Sequence, residues 1–244
     1  MLQHTRGIVL RAVKYGETSL VCSIFTEQSG VQSFLVKGVR SARAKGNKAG
    51  LLQPSTLLEL NTYFRPQRNL QYLGEFHPAY LYASLQEDVV KNSIALFSVE
   101  LLLRLLPEQA PLPELFDFTF GYFCLLDKSS SAQAANMPLY FIIECSRLLG
   151  YDIRGNYDPE TPHLNLQEGA YTAHPPALAP YLPDEDARAL DALLRIEDPA
   201  QLAGVAMNGP MRFRLLQWYI DFLQQHTQHL SNIRSLQVLQ AILH

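Results

Sequence analysis

The residues of this chain best suited to chemistry are cations. Gly38 to Gly50 reads Gly-Val-Arg-Ser-Ala-Arg-Ala-Lys-Gly-Asn-Lys-Ala-Gly. Arg40, Arg43, Lys45 and Lys48 share this stretch with three glycines and no acid. Lys and Arg on small neighbours can follow a phosphate backbone without rigid complementarity, because the attraction is to charge and releases counterions. Lys37 precedes the run, Arg65 and Arg68 flank a polar turn downstream, and Arg11 and Lys14 lie upstream. Tyr63 stands just before that turn and is a candidate stacking platform; stacking contributes about 1–3 kcal/mol per base. The Gly38–Gly50 stretch also reads as a solvated connector, and Tyr63 as an ordinary cross-strand aromatic.

Catalytic chemistry finds less support. The chain has no P-loop, no H-E-x-x-H and no G-x-S-x-G. Gly204 to Gly209 lacks a Lys and reads as a helix start. Glu87-Asp88 and Glu197-Asp198 are adjacent acids, which point in different directions on a helix. His226 and His229 close a Gln-rich run and suit the negative end of a helix dipole. Cys22, Cys124 and Cys145 are far apart and form no C-x-x-C, so they read as small apolar residues of a reducing compartment. The expectation is a protein that is not an enzyme and needs no cofactor.

The elements that must position the cations lie in a basic front part. Residues 1–80 carry ten Lys and Arg against four Asp and Glu, whereas residues 81–244 carry ten against nineteen. This split suggests a polyanion-binding module attached to something else. With 48% hydrophobic residues, the 244-residue chain can bury one large or two modest cores. No run of about 18 apolar residues is present to span a bilayer, and the start lacks the apolar stretch of a secretion signal. A cytoplasmic protein is expected.

Five β-type runs precede residue 80: Arg6–Tyr15, Ser19–Thr26, Val31–Lys37, Thr56–Phe64 and Leu70–Phe76. In the fourth, Leu58, Leu60, Thr62 and Phe64 alternate with Leu57, Glu59, Asn61 and Tyr63, the period of a strand with one buried face. Five strands joined mostly by short turns suggest a small barrel, of which the OB-fold binds oligonucleotides on one face and its loops. From about Ser84 the apolar period becomes helical. Helices are expected from Val90 to Leu105, Pro113 to Leu126, Asn136 to Leu149, Asp184 to Ile196, Pro210 to His226 and Ser235 to Leu243. Asn136 is a plausible cap and Gly150 a plausible stop. The fold class is therefore α+β, an N-terminal five-stranded OB-fold β-barrel over 1–80 followed by an all-helical C-terminal domain over 81–244, with a Pro-rich insertion at about 151–183.

The order of residues in the first module resembles the RecO family, bacterial recombination mediators that act in DNA repair. The resemblance rests on Arg6-Gly7-Ile8-Val9-Leu10-Arg11, Tyr15-Gly16-Glu17-Thr18-Ser19, Ile24-Phe25-Thr26-Glu27 and Gly30. It continues through Phe34-Leu35-Val36-Lys37-Gly38-Val39-Arg40, Leu52-Gln53-Pro54 and Leu57-Leu58-Glu59-Leu60. It is strong over residues 1–80 and collinear but weaker afterwards. The resemblance implies an OB-fold on a helical domain, a nucleoid-associated protein that binds single- and double-stranded DNA, and strand annealing. It also implies work with a RecR-type mediator and recombinase loading onto DNA coated by single-stranded-DNA-binding protein. A site in the helical domain would accept that protein's acidic C-terminal tail. Arg104, Arg147, Arg212, Arg214 and Arg234 are the cations there that could meet its carboxylates, though each also reads as an ordinary surface ion pair. Many members carry a four-cysteine zinc site after a helix ending Leu-Leu-Gly-Tyr. Here Arg147-Leu148-Leu149-Gly150-Tyr151 is present but no cysteine follows residue 145, so no bound zinc is expected. Two other readings stay open: an interaction adaptor with weak or no DNA binding, and an RNA-binding OB protein.

Overall fold

A computed structural model describes residues 2–41, 48–63, 65, 68–178, 180–227, 230 and 232–243. Arg43, Lys45, Phe64 and His229 lie outside the described residues. The chain divides into two compact units. The first comprises Met1–Glu87 and Leu105–Asp127, the second Asp88–Arg104 and Lys128–His244.

The first unit is built on β1 (Leu2–Tyr15), β2 (Ser19–Thr26), β3 (Gly30–Val36), β4 (Leu57–Tyr63) and β5 (Leu70–Pro78). They close into a barrel in the order β1-β2-β3-β5-β4. The β3–β5 pair is parallel and the others antiparallel. This is the expected OB-fold barrel. Alternation drives it. Leu20, Cys22 and Ile24 of β2, Phe34 and Val36 of β3, and Leu58 and Leu60 of β4 share one core with Val9 and Phe76. Glu59 and Tyr63 face outward. Leu57, placed on the polar face by alternation alone, is fully buried.

Helix α2 (Pro113–Lys128) packs with the barrel, although its sequence period alone groups it with the helical body. Phe116 meets Phe25 edge to face at 5.3 Å. The Arg6 guanidinium lies 5.2 and 5.1 Å from the ring centroids of Phe116 and Phe120. The same group pairs with Glu27 at 2.8 Å and Asp117 at 2.6 Å. A helical period reports that a helix has an apolar face, not which core that face joins.

Gly30 opens β3 with φ +66, and a Cβ there would lie 2.2 Å from the Ala110 carbonyl oxygen. Gly30→Ala therefore combines left-handed strain with a backbone clash. A stability loss of about 2 kcal/mol or more is expected. Urea unfolding checks it; an unchanged midpoint would exclude the close approach.

The second unit holds α1 (Val89–Leu105), α3 (Ser131–Leu148), α4 (Asp184–Leu194), α5 (Gly209–His226), α6 (Ser235–Ile242) and a 3-10 turn over Pro199–Gly204. Asn208 caps α5 by accepting from the Met211 N–H at 2.8 Å, so the glycine-flanked Gly204–Gly209 stretch is a helix start. Asn136 is not a cap. Ser130 caps α3, accepting from the Gln133 N–H, and Asn136 sits within the helix with its amide committed to tertiary bonds. The adjacent acids also separate: Asp88 accepts from the Val90 and Lys91 N–H groups, and Asp198 from Ala200.

The Pro-rich segment carries a small sheet of β6 (His163–Asn165), β7 (Ala170–Thr172) and β8 (Tyr181–Leu182), too short to show a period in sequence. No helix of the described residues is long and apolar enough to cross a membrane.

Candidate nucleic-acid interface

The strand register brings the outer residues of the barrel into rows. One row runs Val13–Val21–Leu35–Tyr72–Tyr63 across β1, β2, β3, β5 and β4. Tyr63 is 57% exposed and Tyr72 42%. The two rings are cross-strand neighbours on the outside of the barrel. Arg11 heads the parallel row Arg11–Ser23–Ser33–Leu70. Lys14 pairs with Leu20, whose own partner is Val36; both of these are core residues, so Lys14 is exposed at the end of an inward-facing row and not on the tyrosine face.

Lys37 follows β3 directly, and its ammonium lies 5.1 Å from the Tyr72 ring centroid. Lys48 lies 6.0 Å from that of Phe76. Such contacts contribute about 0.5–1 kcal/mol at exposed sites. The Arg40 N–H donates to the Thr18 carbonyl at 3.0 Å, which ties the start of the basic loop to the β1–β2 turn. Arg65 and Arg68 occupy the β4–β5 turn. Gln71, 2% exposed, holds that turn from below. Its Oε1 accepts from the Arg65 N–H at 3.0 Å, and its Nε2 donates to the Arg65 and Arg68 carbonyls at 2.8 and 2.6 Å.

Thus Lys37, Lys48, Tyr63 and Tyr72 share one surface, with Arg65 and Arg68 on the adjoining turn. Arg11 is exposed on a flanking row of the same face, Lys14 is exposed near the end of β1 on the other face, and Arg40 reaches toward the β1–β2 turn. Among the described residues none of these seven cations is ion-paired to a carboxylate. Tyr72 and Gln71 escape a reading based on charge. Their signal is the alternation of β5, in which Leu70 and Tyr72 are exposed and Gln71 is buried.

The five arginines of the second unit part company. Arg147 pairs with Glu144 at 2.6 Å and also donates to the Leu194 carbonyl. Arg214 is held by both oxygens of Asp186, at 2.9 and 2.7 Å. Arg234 precedes α6; its N–H and the Ser235 N–H donate to Glu100, whose charge Arg104 also favours. Arg212 differs. Its Nε donates to Asn136 Oδ1 at 2.7 Å, with no carboxylate partner among the described residues. Burial lowers its pKa, so its charge is under-compensated. Asn136, 1% exposed, is itself fixed by donating to the Leu202 and Val205 carbonyls at 2.9 Å. Arg212 and Arg214 line an apolar groove of about 240 Å³ with Pro138, Leu139, Phe213 and Leu239. The five residues therefore do not form one cluster.

The residues at 151–183 do not fit a zinc ion. No thiolate is present there. His163 packs edge to face on Tyr181 at 5.3 Å. Among the described residues no three His, Cys, Asp or Glu are grouped to hold a metal. The segment is held instead by backbone bonds of Arg154 with Gly169 and Tyr171, at 2.7 and 3.1 Å. Elsewhere, burial pushes the Cys22 thiol up to about 11 and holds the Cys145 thiol well above its ordinary value, which keeps both protonated in the core.

Residues 1–82 match the family described as recombination protein O N terminal, and residues 86–237 match recombination protein O C terminal. Among curated relatives, the DNA repair protein RecO of Bacteroides fragilis is 33% identical over 99% of both chains. That of Phocaeicola vulgatus is 30% identical over 99% of both, and that of Flavobacterium johnsoniae 25% over 98% of both. A barrel with the OB strand order and two successive matches spanning most of the sequence lead to one conclusion: this chain belongs to the recombination protein O (RecO) family.

Proposed function

We propose that this chain acts in DNA repair and recombination by binding single- and double-stranded DNA on its barrel, promoting strand annealing and helping to load recombinase. The observation that carries this reading is the exposed Tyr63–Tyr72 pair among cations that, among the described residues, have no carboxylate partner. Phosphates meet Lys and Arg, and bases of an unpaired strand meet tyrosine faces. The strand 2–3 face and the loops after strands one and four are where OB-folds receive oligonucleotides, and Arg65 and Arg68 lie on the second of these. Phosphate contacts carry no sequence information, so base preference is expected to be weak. The test is binding of a single-stranded oligonucleotide against salt. A log–log slope of about −0.7 per phosphate contact is expected. A flat slope overturns the reading, and preferential competition by RNA would transfer it to RNA.

Partner binding is the second part of the proposal. A RecR-type mediator and recombinase loading rest on family membership. The apolar groove supports a site for the acidic C-terminal tail of single-stranded-DNA-binding protein, because Arg212 offers an uncompensated charge beside apolar walls. Arg214 is already neutralised by Asp186. Arg212→Ala is therefore expected to weaken a labelled tail peptide by about tenfold or more, the effect of losing a charged hydrogen bond. Arg214→Ala should cost less. Anisotropy titration decides; equal losses would mean that the groove does not distinguish the two arginines.

A further inference from the structure

β3 and β5 pair over three positions only, Ser33–Leu35 with Leu70–Tyr72. Beyond these, β5 turns to follow β4, where the register shifts between Leu60 and Thr62. The two strands part and leave a cleft of about 330 Å³, within the range of small-ligand sites. Val36, Lys37 and Gly38 form one wall, and Leu73, Gly74 and Phe76 the other. A Cβ on Gly74 would lie 2.8 Å from the Asn61 carbonyl oxygen, so the shifted β4 backbone demands glycine and leaves that wall low. Tyr72 and Lys48 also line it. Both cations rest on aromatic rings rather than on carboxylates.

Resting on the DNA-binding reading above, we infer that this cleft takes one unpaired nucleotide of a DNA strand, its base on the Tyr72 ring and its phosphate between Lys37 and Lys48. The Lys37 ammonium now occupies the face of Tyr72. An arriving phosphate draws the ammonium aside and frees the ring. Stacking of a base on that ring is the stronger of the two contacts, so the exchange favours the nucleotide. A paired base stays in its stack and cannot enter. The cleft thus discriminates unpaired from paired strands, whereas the cations elsewhere on the barrel serve both.

The test compares an oligothymidylate with an abasic phosphodiester of equal length and with a duplex, across salt. Wild type should bind the base-bearing strand at least about fivefold tighter than the abasic one. Tyr72→Leu should lower that ratio by about fivefold, leaving only what Tyr63 contributes, with salt slope and duplex affinity unchanged. Tyr72→Phe should keep the ratio. Lys37→Ala should keep the ratio and make the slope shallower by about 0.7. Equal binding of base-bearing and abasic strands by wild type, with a steep slope, overturns the cleft and leaves DNA binding standing. A ratio that persists in Tyr72→Leu also overturns it and moves the stacking elsewhere. Loss of salt-dependent binding in wild type overturns both readings.

Discussion

Replacing Arg40, Arg43, Lys45 and Lys48 with alanine is expected to lower affinity for single-stranded DNA by two to three decades at about 0.1 M salt. Each phosphate contact on a single strand contributes about 0.7 to the log–log salt slope, so at that salt each cation accounts for about a fivefold gain over 1 M. Four such gains multiply to about 600-fold, or about 4 kcal/mol. The slope should become shallower by about 2.8 on a single strand and by more on duplex, where each contact contributes about 0.9. Arg40 is anchored through its backbone to the β1–β2 turn, and Lys48 lies over Phe76 at the barrel surface. Both stand on the side of the barrel that carries Lys37. A quadruple variant whose slope matches wild type would mean that this loop contacts no phosphate. The anion-binding role would then fall to Lys37, Arg65 and Arg68.

The barrel is legible in the sequence because a strand with one buried face writes its geometry as alternation. Leu58, Leu60 and Thr62 point inward and Tyr63 outward, as that period requires. The first strand starts at Leu2, four residues before the Arg6 expected from sequence, because its early half pairs with β4 through contacts some 55 residues distant in the chain. The cations are legible as a class, since a run of them without acids is visible by inspection. Their selection is not. Arg212 and Arg214 look alike in sequence, two residues apart. Only folding brings Asp186 to one and Asn136 to the other, and that difference decides which guanidinium can take a new anion. Gln71 is hidden for the same reason. A buried amide that fixes a turn looks like any surface glutamine until its partners are known. Tyr72 is legible in the alternation of β5, which places it outward with Leu70, and Gln71 inward.

The same distinction applies to stability, where the largest expected effect falls on a residue outside any interface. Asp127 ends α2 and is 3% exposed. Its Oδ1 accepts from the Ser84 and Leu85 N–H groups, both at 2.8 Å. Its Oδ2 accepts from the Ala83 N–H at 3.0 Å and the Tyr80 hydroxyl at 3.1 Å. It thereby holds the segment that leaves β5 against the helix. Burial alone raises its pKa, but these donors outweigh burial and hold the carboxyl below its ordinary value. Asp127→Asn keeps the volume and turns one acceptor oxygen into an NH2 that must face donors. A loss of about 3 kcal/mol or more is expected, since hydrogen bonds to a charged group contribute about 1.5–3 kcal/mol each and an orphaned buried donor costs more. Exchange of the Ala83, Ser84 and Leu85 amides should then quicken by about a hundredfold if they exchange through the opening that the substitution favours. The pH dependence follows from the direction of the shift. With the folded pKa lowered, the stabilisation is complete above the ordinary carboxylate range and is lost as pH falls through the folded value. Wild type and Asp127→Asn should therefore differ fully at neutral pH and converge in acid. A gap that stays constant down to strongly acidic pH would mean that the charge of Asp127 contributes nothing and that packing alone holds this segment.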